Sequence, residues 1–224
     1  MAPDPSERAR IMDAALRVLS AGTGRSLSVT DVLETAGLST RAFYRHFESK
    51  DALLLALFRR DSQRVNEQLE ADVRAAPTPR DALVRWIEGT LQIAADPRRR
   101  RRVLVFSSEE VTRARGITAE RHQIQEAQAA AISRIVAEGL ADGSFPDAVL
   151  PADARAIRAV LGEALLEQAA QVATVPADQA AADIADFALR ALGAHRQTAR
   201  ADTTAASTAP DTAADTTTPD LAAS

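Results

Sequence analysis

The sequence predicts an all-α protein. Aromatic residues make up only 4% of 224 residues and alanine is abundant, whereas strands favour β-branched and aromatic side chains. Apolar residues recur every three or four positions, the period of a helix face. No run alternates apolar and polar residues between hairpin turns. The 46% apolar content excludes wholesale disorder. The absence of cysteine removes disulfides, thiol nucleophiles and thiolate zinc sites. The longest unbroken apolar run, residues 52–58, falls well short of the roughly 18 residues of a membrane span. No basic and apolar leader opens the chain, so a soluble, cytoplasmic protein with no membrane partner is expected.

The net charge of −4 conceals a change of sign along the chain. Residues 1–60 carry 9 Lys+Arg against 7 Asp+Glu, residues 61–195 carry 16 against 20, and residues 196–224 carry 2 against 4. A mildly basic head (1–50), a helical body (51–195) and an acidic tail (196–224) are expected. The tail is mostly Ala, Thr, Ser, Asp and Pro, with Leu221 its only large apolar residue. Such a segment buries too little to offset chain entropy, so disorder is expected there.

Each helix can be justified in order. Ser6 can cap a first helix with the stripe Ile11, Ala14, Ala15, Val18 and Leu19, ended by Gly22 and Gly24. Ser28 caps the second helix. Its hydroxyl is placed to accept from the Asp31 N–H while the Asp31 carboxylate reaches back. Ala36-Gly37-Leu38 forms a turn in which Gly37 supplies left-handed backbone. Ser39 caps a third helix reaching about Phe47, and Ser49 caps a long helix from Lys50 towards Arg74. Pro77 and Pro79 break it. Residues 81–95 give the next helix, with Leu83, Trp86, Ile87 and Leu91 on one face, ended by Pro97. A short helix carries Val103 to Phe106. Residues 117–140, 152–172 and 178–192 give three more, with Gly143, Pro151, Pro176 and Gly193 as their punctuation.

Two short helices joined by a three-residue turn containing glycine are a helix-turn-helix. The second helix of that motif enters the DNA major groove with its N-terminal residues at the base edges. Those residues here are Thr40, Arg41 and Ala42. Arg41 can grip guanine with two hydrogen bonds, Thr40 can bond a base or phosphate, and Ala42 can pack on a thymine methyl. Ser28 and Lys50 stand at helix starts, where free N–H groups favour a phosphate oxygen. Phe43 and Phe47 share the face of Val32 and Leu38 and are expected in the core.

The stretch from Ser28 to Leu54, SVTDVLETAGLSTRAFYRHFESKDALL, resembles the DNA-binding signature of the tetracycline-repressor (TetR) family of bacterial regulators. The matching features are the cap at Ser28, Ala36-Gly37-Leu38-Ser39, Tyr44, His46-Phe47, Ser49-Lys50 and Leu53-Leu54. The resemblance covers about residues 6–56. Leu33 departs from it, standing near the helix crossing where the family usually has a small residue. The resemblance implies phosphate contacts from Ser28, Tyr44 and Lys50 and base-facing positions at Thr40, Arg41 and Ala42. It places His46 either against the backbone or packed below the recognition helix. Lys50 is the only lysine beside 26 arginines, which fits a point-charge phosphate contact. The candidate DNA-binding set is therefore Ser28, Thr30, Ser39, Thr40, Arg41, Ala42, Tyr44, Arg45, His46 and Lys50.

A single motif contacts one half-site, so a homodimer is expected. The last two long helices offer close-packing small residues: Ala156, Val160, Gly162, Ala164 and Ala169 on one, Ala181, Ala185, Ala188 and Ala191 on the other. These faces could also pack inside the monomer. Arg98 to Arg102 form either a solvated helix start or a set of partners for carboxylates of the head or first body helices. Trp86, Phe106, Ile124, Gln128, Leu165 and Gln168 are candidate lining for a small-molecule effector pocket. Leu91, Val105, Ser107, Ser108 and Glu109 are further candidates.

The expected function is a ligand-responsive regulator that binds a double-stranded DNA operator, most simply a repressor released by its effector. Activation, or a helical interaction protein without DNA binding, are the alternatives. An enzyme is not expected. None of His46, His122 or His195 has Glu three residues before it, so the di-iron pattern is missing. No Walker loop, dinucleotide fingerprint or nucleophile elbow occurs. No cofactor or metal is expected.

Overall fold

Ten helices and no strand make up the secondary structure of residues 5–21 and 26–194, the part of the chain that a computed structural model describes. They are α1 Pro5–Ser20, α2 Val29–Ala36, α3 Thr40–His46, α4 Lys50–Arg74, α5 Pro79–Ala95, α6 Pro97–Ser107, α7 Glu109–Arg113, α8 Ile117–Asp142, α9 Ala152–Ala170 and α10 Ala177–Ala191. Gly22, Gly24 and the acidic tail lie outside the described residues.

The starts of α2 to α7 follow from capping side chains, whereas Ser6 lies inside α1 and not before it, and two further expectations are corrected. The Ser28 hydroxyl accepts from the Thr30 N–H at 3.2 Å, not from Asp31 as the sequence predicts. Pro79 does not stand outside the next helix: it is the first residue of α5, behind a Thr78 cap that accepts from the Asp81 N–H at 3.1 Å. Proline is tolerated there because the first helical N–H has no partner in the helix. Asp96 caps α6 in the same way, accepting from Arg99 N–H at 2.7 Å, so α6 starts at Pro97 and contains the whole arginine run. The sequence reading missed α7.

Two apolar cores result. The first joins Ile11, Val32, Phe43 and Phe47 of the head and Leu53 and Leu57 of α4 to Val105, Phe106, Val111 and Ile117 of α6, α7 and α8. The second lies around α5, which packs on α4, α8, α9 and α10. Helix α4 enters both cores: Leu53 to Phe58 in the first, Leu69 in the second. An expected boundary after residue 50 thus falls at the start of a helix that ties the head to the body. Phe145 is fully buried over Gly139, where a methyl would overlap its ring.

The small-residue faces of α9 and α10 divide. Ala181, Ala185 and Ala188 are buried within the monomer's second core, and Ala169 is buried as well. Ala156, Val160 and Ala191 remain exposed. The alanine pattern marks close approach of helices but not which helices approach.

Candidate nucleic-acid interface

Helix α2 ends on Gly37 in left-handed backbone (φ 64°, ψ 43°). The Leu38 N–H donates to Leu33 O at 3.1 Å and the Gly37 N–H to Glu34 O at 3.2 Å. This pair of bonds closes the helix end and reverses the chain within three residues. Arg10 of α1 donates to the Ala36 carbonyl at 2.7 Å, fixing the turn from the side. Ser39 then caps α3, accepting from Ala42 N–H at 3.3 Å.

Helix α3 has two faces. Ala42 and Phe43 point into the head core. Thr40, Arg41, Tyr44 and Arg45 point outward, spaced as neighbours on one side of a helix. Arg41 is exposed and has no ion pair among the described residues. Tyr44 is 61% exposed, its ring set edge-on to Phe43 at 5.4 Å. Ser28, Thr30 and Ser39 stand at the starts of α2 and α3, with Thr30 and Ser39 exposed and Ser28 half-buried.

Two of the expected contact residues do not reach this surface. Ala42 is 2% exposed, because its position on α3 faces the core, so it offers nothing to a thymine methyl. The His46 side chain is also 2% exposed, with Nε2 3.2 Å from Glu7 Oε2. It packs below α3 against α1, which selects the packing alternative of the sequence reading. Arg45 turns to the same carboxylate, its guanidinium 2.7 Å from Glu7 Oε2.

Lys50 is held from the body side. Its ammonium donates to Ser26 Oγ at 3.0 Å and to Glu110 Oε1 at 3.1 Å. The same Glu110 oxygen accepts from the Ser26 hydroxyl at 2.6 Å and the Leu27 N–H at 2.7 Å. Partial burial pushes the Glu110 carboxyl upward, but the Ser26 hydroxyl, the Lys50 ammonium and the Leu27 N–H together hold it below the usual carboxylate range. Glu7, Arg10, Ser26 and Glu110 were missed from the sequence. Their partners lie 24 to 84 residues away, beyond any local spacing rule.

The body contains a cavity of about 1160 Å³ between α4, α5, α6, α8 and α9. Phe58, Leu69, Trp86, Phe106, Ile124 and Leu165 give it apolar walls. Five of the six expected pocket residues meet here: Trp86, Phe106, Ile124, Gln128 and Leu165. Gln168 does not. It lies in a separate cleft near the end of α9, where its side chain donates to Val175 O at 2.8 Å. Arg102 crosses from α6 to Asp61 of α4 at 2.9 Å, pairing the arginine run with a body carboxylate at the cavity wall. Arg59 grips Glu120 of α8 through two bonds, so the one buried charged side chain among the described residues is paired.

Comparison with known proteins bears on both parts. Residues 11–57 match the family model described as bacterial regulatory proteins, tetR family. An HTH-type transcriptional regulator BetI of Rhizobium meliloti is 33% identical over 85 residues, 37% of this chain and 42% of that protein. An uncharacterised HTH-type transcriptional regulator of Mycobacterium tuberculosis is 29% identical over 87 residues, 39% of this chain and 43% of that protein. The chain thus spans less than half the length of the curated relatives it matches. Among solved structures, a TetR transcription regulator from Haloarcula marismortui is similar with a TM-score of 0.71 at 19% identity, covering 83% of this chain and 97% of that one. The regulator FadR from Bacillus subtilis in complex with stearoyl-CoA is similar with a TM-score of 0.67 at 17% identity, covering 82% and 98%. These relatives are named as regulators, not enzymes. Among the described residues no helix is long and apolar enough to cross a membrane.

Proposed function

We propose that the chain, whose residues 11–57 match the model of the tetR family of bacterial regulatory proteins, is a DNA-binding transcriptional regulator that works as a repressor in the cytoplasm. The observation that carries this is the outward face of α3, with Thr40, Arg41 and Tyr44 exposed on a short helix fixed by a glycine turn. That face has the width and donor set for a major groove. Ser28, Thr30 and Ser39 supply hydroxyls beside it for phosphate oxygens.

The regulator acts as a homodimer on a palindromic operator. Exposed Val160 and Leu166 on α9 and Phe187 on α10, at 40%, 42% and 51% exposure, give apolar contact for a four-helix interface. The large cavity takes a small-molecule effector. Its walls carry six arginines against four carboxylates over an apolar interior, which favours a ligand with an apolar body and an anionic group. The stearoyl-CoA held by the Bacillus subtilis relative has that character.

Mechanistically, effector and operator compete through linkage. An effector that prefers a different spacing of the two α3 helices lowers operator affinity by its differential binding energy, typically about 1–3 kcal/mol. Selection of bound fragments from genomic DNA tests the reading. The parent chain should enrich palindromic sites, and addition of stearoyl-CoA should release them. Enrichment of no sequence above background would refute DNA recognition, while enrichment unaffected by the ligand would refute only this effector class.

A further inference from the structure

The carboxylate of Glu110 stands in a place built for a phosphate oxygen. One of its oxygens accepts from a hydroxyl, a backbone N–H and an ammonium: Ser26 Oγ at 2.6 Å, Leu27 N at 2.7 Å and Lys50 Nζ at 3.1 Å. These are the donor types that hold DNA phosphates. They converge immediately before α2 and at the first residue of α4, on the head. Glu110 comes from a different part of the chain, the five-residue helix α7. We infer that Glu110 is an internal stand-in for a DNA phosphate, which occupies Ser26, the Leu27 N–H and Lys50 and so attenuates DNA binding while α7 is docked on the head.

The charges and connectivity support this. Lys50 is the only lysine of the chain, and with Glu110 beside it the pair presents almost no net charge to a polyanion. A phosphate sharing the Lys50 ammonium would face the Glu110 carboxylate at short range, and like charges there repel. The Lys50 side chain keeps 34% exposure, so DNA can reach the pair without unfolding of the head. Helix α7 follows directly on α6: Ser108 ends one helix and caps the other. The inward face of α6, with Arg102, Val103 and Phe106, lines the body cavity. A shift of α6 therefore moves the carboxylate that holds Lys50. The inference rests on the DNA-binding reading above.

The test uses the full chain and a random-sequence DNA duplex, with affinity measured over a range of salt concentrations. Glu110→Gln keeps an oxygen for Ser26 and Leu27 but removes the charge. It should bind the duplex about three- to thirtyfold more tightly at low salt, the range expected for removing one nearby like charge. Its salt slope should steepen by up to about one unit, one more phosphate fully neutralised. In the Lys50→Gln background the same substitution should give no gain. Unchanged or weaker binding by Glu110→Gln would overturn the inference, since a carboxylate that merely positions Lys50 would lose affinity when neutralised. If neither parent nor variant binds any duplex, the DNA-binding reading itself falls. A second readout is independent of DNA and of any folding defect in the Gln variant. Acylation of the sole lysine by an amine-reactive ester, resolved from the α-amino group by peptide mass, should run several-fold faster in Glu110→Asp, whose shorter arm withdraws from Lys50. Equal acylation rates in parent and Glu110→Asp would also overturn the inference.

Discussion

Replacing Gly37 by alanine probes how the turn presents α3. Gly37 has φ 64° and ψ 43°, a left-handed conformation that costs an L residue roughly 1–2 kcal/mol. A Cβ there would meet only Arg10 Nη2 at 3.6 Å, ordinary contact, so no overlap adds to the cost. Alanine also lowers the entropy of the unfolded chain, returning about 0.4–1 kcal/mol. The net expectation is a loss of about 1 kcal/mol, or about 2–4 °C in melting temperature for a chain of this size. Urea unfolding followed by circular dichroism measures it. Asparagine, which tolerates left-handed backbone, should recover most of the loss. An alanine variant as stable as the parent, or an asparagine variant as damaged as alanine, would refute the assignment of this turn to backbone conformation.

Three further predictions concern contacts, pH and assembly. Arg41→Ala should cost about 1–3 kcal/mol at one operator position and relax the base preference there, as read by affinities for single-base operator variants. In Glu120, the hydrogen bonds from Arg59 outweigh burial and hold the carboxyl below its usual range. A carboxyl depressed in the folded state stabilises the fold above its unfolded value of about 4.3, and loses that contribution as pH falls through the folded value. The stability gap between parent and Glu120→Gln should therefore stay level from neutral pH to about pH 5 and close below about pH 4, measured by urea unfolding at each pH. Phe187→Asp puts a charge on the exposed face of α10 and should shift the chain from dimer to monomer in analytical ultracentrifugation, with helix content retained.

The head was legible because its signals are local. Ser28, Ser39 and Ser49 each cap the helix that follows, and Gly37 supplies the left-handed backbone of the turn between α2 and α3. Less legible was which side of α3 faces outward: with seven residues the helix gives less than two turns of pattern, and Ala42 and His46 fell on the buried side. Alanine is ambiguous for the same reason at larger scale. Ala181, Ala185 and Ala188 fit equally a dimer interface and a monomer core, and the fold uses them in the core. Helix α7 was missed because five residues, three of them charged, carry no apolar stripe. With α7 unseen, its carboxylate could not be placed beside Lys50, 60 residues earlier in the chain.

The central claim, that the outward face of α3 enters the major groove, can be tested by directed cleavage. The chain has no cysteine, so Glu48→Cys, on the exposed residue just beyond α3, provides a single attachment point for an iron chelate. On a selected operator the conjugate should cut in two clusters, related by the operator's symmetry and centred about one helical turn apart. Cleavage spread evenly along the duplex, or absent from bound DNA, would contradict the account.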